Sequence, residues 1–177
     1  GSPSAISPRG DIERVEDQVK IPYLIKSYDN SLIIGVGGGQ DLVAGLHYDT
    51  HTITGVEIDK QRVDLMQNEF REYSNDLFFD KRINIVDENA RAFLRRDEGK
   101  YDLITVQRAG AMKLANAVPY YSTKELFTED ALNTYLDALS EDGILYWAMG
   151  IERENGEIVT RDKDAYLLAL KNKLNTI

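Results

Sequence analysis

From Ser31 onward, short apolar runs alternate with longer amphipathic stretches. The runs are Ser31 to Val36, Thr52 to Ile58, Arg82 to Val86, Tyr101 to Val106 and Gly143 to Met149. Each is too short for a helix and rich in Ile, Val and Leu, as expected of strands buried on both faces. Helices are expected between them, at about Gln40 to Tyr48, Lys60 to Tyr73, Ala90 to Arg96 and Lys124 to Leu139. Val63, Met66 and Phe70 recur at helical spacing in the second of these and read as a core stripe. Strand, helix, strand in repetition means a parallel sheet with right-handed crossovers, so the fold class is α/β, doubly wound and mainly parallel. A last amphipathic helix, roughly Arg161 to Leu174, follows a polar turn at Asn155-Gly156. No strand-like run comes after it, and the sheet is expected to be trimmed at its C-terminal edge.

Residues 1 to 10 carry Ser, Pro and Gly without periodicity and read as a disordered leader or tag remnant. Gly1-Ser2 without an initiating Met resembles a protease scar, so natural flanking segments are expected beyond this chain. Residues 11 to 177 then form a single domain, which suits 177 residues of which 42% are apolar. Asp and Glu outnumber Lys and Arg by 30 to 21, and a formal charge of -9 repels a phosphate backbone, so no nucleic-acid partner is expected. With no cysteine, a thiol nucleophile, an iron–sulfur cluster and a cysteine zinc site are excluded. No apolar run approaches the roughly 18 residues that cross a bilayer, and no signal peptide is visible, so a cytoplasmic location is expected.

The strongest chemical signal is the loop Gly35-Val36-Gly37-Gly38-Gly39-Gln40-Asp41, which leaves a strand and opens a helix. Glycines there turn the chain tightly and let a ligand approach bare backbone at a helix N-terminus. A flexible Gly-rich turn is the plainer alternative, and the flanking strand and helix argue against it. Glu57, in Val56-Glu57-Ile58-Asp59, ends the next strand about 20 residues further on, where a carboxylate accepts from both ribose hydroxyls and repels a 2′-phosphate. Asp59 reads as the cap of the helix from Lys60. A dinucleotide fingerprint wants glycine where Gln40 stands, which disfavours NAD. The inferred ligand is S-adenosylmethionine, which has one adenosine and no pyrophosphate.

LIIGVGGGQD, TGVEID, INIVDENARAFLRR, KYDLITV and ELFTEDALNTYLDALSEDGIL, in this order, resemble the spermidine synthase group of class I S-adenosylmethionine-dependent transferases, over about residues 31 to 149. The likeness is greatest to bacterial domains fused to membrane-spanning segments. It implies the Rossmann-like class I methyltransferase fold, with Gly35, Gly37, Gly38 and Gly39 around the methionine part of the ligand and Glu57 on the ribose. Asn89 and Ala90 fall where the family grips adenine. The family has Asp-Gly there, and the Asn89 carbonyl remains able to accept from the adenine amino group. Asp87 is the neighbouring candidate, with helix capping as its alternative role.

Two departures bear on chemistry. Aminopropyltransferases of this family keep an Asp in the glycine loop, where this chain has Gly38, and another just after the fourth strand, where it has Gln107. An amide cannot take a proton from an attacking amine, and loss of a general base typically costs about 10² to 10⁴ in rate. Decarboxylated S-adenosylmethionine lacks the carboxylate that a loop acid repels, so Gly38 makes ordinary S-adenosylmethionine acceptable. Methyl transfer needs a base only when the acceptor must lose a proton.

Three functions follow. The first is an S-adenosylmethionine-dependent methyltransferase acting on a small-molecule acceptor. The second is a polyamine aminopropyltransferase using decarboxylated S-adenosylmethionine, and the third a non-catalytic nucleoside-binding domain of a larger membrane protein. Gln107 is the candidate catalytic position. Arg108, Lys113, Asn116, Tyr120 and Tyr121 follow it in a loop that either faces the acceptor or lies in solvent. Trp147 reads as core, and His47 with His51 have no third metal ligand nearby.

Overall fold

The structure, a computed structural model, describes Ile6, residues 8–107, 125–148, 153–154 and 157–158. Five strands form one parallel sheet: β1 (Asn30–Ile34), β2 (Thr52–Glu57), β3 (Ile83–Asp87), β4 (Tyr101–Gln107) and β5 (Leu139–Ala148). Their order is β3-β2-β1-β4-β5, the doubly wound arrangement in which successive crossovers run outward both ways from β1. The helices are α1 (Asp17–Lys20), α2 (Gln40–His47), α3 (Lys60–Gln67), α4 (Ala90–Arg96) and α5 (Glu129–Ala138). Strands β6 (Arg153–Glu154) and β7 (Glu157–Ile158) pair antiparallel, and the turn expected at Asn155-Gly156 lies outside the described residues.

The two faces of the sheet carry separate cores, and the period of two decides which residue joins which. Ile33 and Leu103 face one way and pack with Leu42 and Val43 of α2, Val15, Val19, Tyr23 and Leu77. Leu32, Ile34, Ile104 and Val106 face the other way, against Phe93 of α4 and Leu132 and Tyr135 of α5. Leu32, Ile33 and Ile34 are at most 2% exposed, which is why β1 reads as a continuous apolar run. Trp147 belongs to the second core, stacked on Phe127 at 5.5 Å between ring centroids.

Several boundaries differ from those expected. Packing reaches back into the segment read as a leader: Ile6 is buried, and Arg9 donates to the Ser74 carbonyl at 2.9 Å and pairs with Asp80 at 3.3 Å. Helix α3 ends at Gln67 rather than near Tyr73. The Asn68 side chain donates to the Asp64 carbonyl at 2.8 Å, a local bond that competes with continuing the helix, and left-handed Asn75 and Asp76 complete the turn. Helix α5 starts late because Thr128 caps it, accepting from Ala131 N at 3.1 Å after a short 3-10 turn at Glu125–Phe127. Strand β5 starts at Leu139, ahead of Gly143, with a bulge between the pairs Tyr101↔Leu139 and Leu103↔Ile144. The last helix expected, Arg161 to Leu174, lies outside the described residues.

Gly39 caps α2 with φ +89, and a Cβ there would stand 2.5 Å from Leu77 Cδ2. Gly39→Ala therefore combines a left-handed residue with an overpacked core and should cost about 2–5 kcal/mol in a urea titration. Asp102, at the opposite end of the sheet, accepts from Asn30 N at 3.0 Å, Asp29 N at 3.1 Å and Ser140 Oγ at 2.9 Å. Burial pushes its pKa up, but the Asn30 amide, the Ser140 hydroxyl, the Asp29 amide and Lys26 outweigh it and hold the carboxyl below its ordinary value. The stability this adds is complete above the unfolded carboxylate pKa and is lost as pH falls through the lowered one. Wild type should accordingly unfold at higher urea than Asp102→Asn at neutral pH, with the gap closing in acid.

Candidate functional site

The glycine loop sits at the carboxyl end of β1. Gly35, Gly37 and Gly39 have φ of +83, +55 and +89, so every second residue turns the chain through the left-handed region that glycine allows. Gly35 N donates to the Val56 carbonyl of β2 at 2.9 Å, and Gly39 N to the Val36 carbonyl at 3.0 Å. The glycines differ in what they face. A Cβ on Gly37 would meet nothing nearer than Arg62 Nη1 at 3.8 Å, whereas Gly39 is pressed against the core. Gly35, Gly37 and Gly38 are half-buried and Gly39 is buried, which makes the first three the open wall of the crevice.

Glu57 ends β2 and is only 6% exposed. Its Oε2 accepts from Gly37 N at 2.9 Å and its Oε1 from Asp59 N at 3.0 Å, while its backbone carbonyl accepts from Glu88 N at 3.1 Å. One residue thus ties together the loops that follow β1, β2 and β3. A carboxylate offers about four acceptor positions, and the two amides fill two of them. Asp59 is the expected cap of α3, accepting from Arg62 N at 3.3 Å, and it also pairs with the Arg62 guanidinium at 3.7 Å.

The far wall is the β3–α4 turn. Asn89 caps α4: its Oδ1 accepts from Arg91 N at 2.9 Å and Ala92 N at 3.1 Å, and its Nδ2 donates to Glu125 Oε1 at 2.5 Å. That commits the side-chain oxygen expected for adenine to the helix, so the capping role falls to Asn89 rather than Asp87. Asp87 instead pairs with Lys60 at 3.3 Å, and this bond, with Asp64 nearby, raises the Lys60 pKa. Ala90 is buried. Arg91, itself buried, donates to the Glu125 carbonyl at 3.1 Å and pairs with Asp130, fastening the start of α4 to the approach to α5.

Gln107 is the last residue of β4, in register with Ala148 of β5. Arg108, Lys113, Asn116, Tyr120 and Tyr121 lie outside the described residues. His51 pairs with Asp29 at 2.9 Å and His47 packs edge-on to Tyr48; among the described residues no three His, Asp or Glu gather as metal ligands. Asp41 escaped the sequence reading. It lies in the first turn of α2, is buried, and accepts from Thr105 Oγ1 of β4 at 3.1 Å. Its signal was a lone acid directly before the apolar run Leu42-Val43-Ala44.

Residues 16–161 match the model of the spermine/spermidine synthase domain. A polyamine aminopropyltransferase of Clostridium beijerinckii is 37% identical over 117 residues, covering 66% of this chain and 38% of that protein. The chain therefore spans less than half the length of the curated relatives it matches. A spermidine synthase solved with the transition-state analogue AdoDATO superposes with a TM-score of 0.58 at 25% identity, covering 76% of this chain and 43% of that one. An SAH-bound methyltransferase of Podospora anserina, at 23% identity and a TM-score of 0.51 over 72% of this chain and 48% of its own, shares the fold.

Glu57→Gln should separate the acid's two tasks. One amide N–H would face the glutamine NH2, leaving a buried donor unsatisfied at a cost of about 1–3 kcal/mol. The melting temperature should fall, whereas the exposed Glu69→Gln should leave it within error.

Proposed function

The chain belongs to the spermine/spermidine synthase domain family, and from that premise we propose that its crevice binds decarboxylated S-adenosylmethionine for aminopropyl transfer to a small amine. The supporting observation is the Glu57 carboxylate, held by two backbone amides at the mouth of an open glycine loop. Family membership favours this reading over the methyl transfer inferred from the two missing acids.

Bound in the crevice, the sulfonium supplies an activated carbon and a neutral thioether leaving group. Glu57 accepts from the ribose hydroxyls with the lone pairs that Gly37 and Asp59 leave, and the fixed orientation adds nothing to the reorganisation cost of binding. Gly35, Gly37 and Gly38 line the chain beyond the ribose. Ala90 and the Asn89 backbone border adenine, with the Asn89 side chain kept as the helix cap, and Asp87 stands beside them. Gln107 orients the acceptor amine but takes no proton from it. An amine that arrives neutral attacks the carbon, the C–S bond breaks with its electron pair going to sulfur, and the new ammonium loses its proton to water.

A second reading, methyl transfer from ordinary S-adenosylmethionine, draws on Gly38, which offers no charge against a ligand carboxylate, and on Gln107. One incubation distinguishes the two. With decarboxylated S-adenosylmethionine and putrescine, mass spectrometry should detect methylthioadenosine and aminopropylated amine in equal amounts. Gln107→Asp should raise that rate by about 10²-fold or more by restoring a base. S-adenosylhomocysteine and methylated acceptor, formed only from the ordinary ligand, would favour the second reading. No thermal stabilisation by either ligand, where about 2.7 kcal/mol is expected at 100 times Kd, would remove both.

A further inference from the structure

We propose that Arg62 reads the ligand's tail: its guanidinium, lying over Gly37, binds the α-carboxylate of ordinary S-adenosylmethionine, which then competes for the crevice with the decarboxylated ligand. The inference rests on the crevice being the adenosyl-ligand site proposed above, and it adds an occupant whether or not that occupant gives up its methyl group. It begins with the glycine loop. A Cβ on Gly37 would stand 3.8 Å from Arg62 Nη1 and, chain neighbours aside, within 4 Å of no other described atom. A guanidinium thus bounds the open side of this glycine. Gly37 N donates to Glu57, the proposed ribose acceptor, so the guanidinium borders the stretch where the ligand's chain leaves the ribose.

Helix stability does not ask for a cation here. Arg62 stands in the first turn of α3, a turn with no acid, where the positive end of the helix dipole disfavours a guanidinium. Lys60, the other cation of that turn, is paired with Asp64 and Asp87. Arg62 has less. Its ion pair with Asp59 is 3.7 Å long, beyond hydrogen-bond reach, and Asp59 already accepts from the Arg62 backbone N–H. A guanidinium carries five N–H donors, and none of them hydrogen-bonds to the described residues, although only 26% of the side chain is exposed. A planar fork in that position fits a carboxylate, which takes two parallel N–H bonds. Gly38, next along the loop, brings no charge to repel one. Decarboxylation deletes the group that Arg62 fits, so this residue distinguishes the two ligands by their tails and not by their shared nucleoside.

Calorimetry with the purified chain tests this, using three probes that share a neutral sulfur. They are S-adenosylhomocysteine, its decarboxylated counterpart S-adenosyl-3-thiopropylamine, and methylthioadenosine, which has neither carboxylate nor amine. Wild type should bind S-adenosylhomocysteine about tenfold or more tightly than the thiopropylamine. Arg62→Met should erase that difference by weakening S-adenosylhomocysteine while methylthioadenosine changes by less than about twofold, and Arg62→Lys should restore part of it. With methylthioadenosine bound, equal wild-type affinities for the other two probes, or a preference that survives Arg62→Met, would overturn the assignment and leave the adenosyl site standing. If Arg62→Met fails to fold, the wild-type preference and its reduction in Arg62→Lys decide the matter. Failure of all three probes to bind would instead remove the ligand reading of the glycine loop, and the inference with it.

Discussion

The Glu57 carboxylate is the fastening on which the crevice depends. Three loops leave the carboxyl ends of β1, β2 and β3, and left to themselves their backbone amides would need water or one another. Glu57 collects one amide from each: Gly37 and Asp59 on its side chain, Glu88 on its carbonyl. Bonds to an ionised acceptor are roughly twice as strong as neutral ones, so a buried acid is tolerated at the end of an otherwise apolar strand. The bond to Gly37 also holds open a loop whose alternating left-handed glycines would otherwise be floppy.

The rest of the molecule carries this arrangement to the ligand. Parallel pairing sets the ends of β1, β2 and β3 level, with Ile34 beside Val56 and Glu57 beside Asp87. The Asn89–Glu125 and Arg91–Glu125 bonds then draw the approach to α5 against the start of α4, on the face of the sheet that both helices cover. The Thr105–Asp41 hydrogen bond ties the start of α2 to β4. The Glu57 carboxylate faces the crevice from the end of β2, consistent with a chain of formal charge -9 whose proposed ligands are cations.

The five strands, their parallel order and the glycine loop were legible because buried parallel strands are short apolar runs and the loop's glycines answer a local backbone demand. Asp59 as a cap was legible for the same reason, since capping involves only the next three residues. Where distant residues decide, the sequence was mute. Ile6 is held by a core assembled from far along the chain, and β5 begins at Leu139 because of pairing to Tyr101. Asn89 looked like an adenine ligand by position, but its side chain answers first to the amides of Arg91 and Ala92. Nothing in the sequence marks Asp41 as the partner of Thr105, which lies 64 positions away. The expectation of methyl transfer rests on two single positions, Gly38 and Gln107, whereas the family match runs across residues 16–161.

The most direct test is a crystal structure of the chain soaked with methylthioadenosine. The account predicts both ribose hydroxyls within hydrogen-bonding distance of the Glu57 carboxylate, with the Gly37 amide still donating to the same group. Nucleoside bound elsewhere, or a ribose seated only after the Glu57–Gly37 bond has broken, would contradict it.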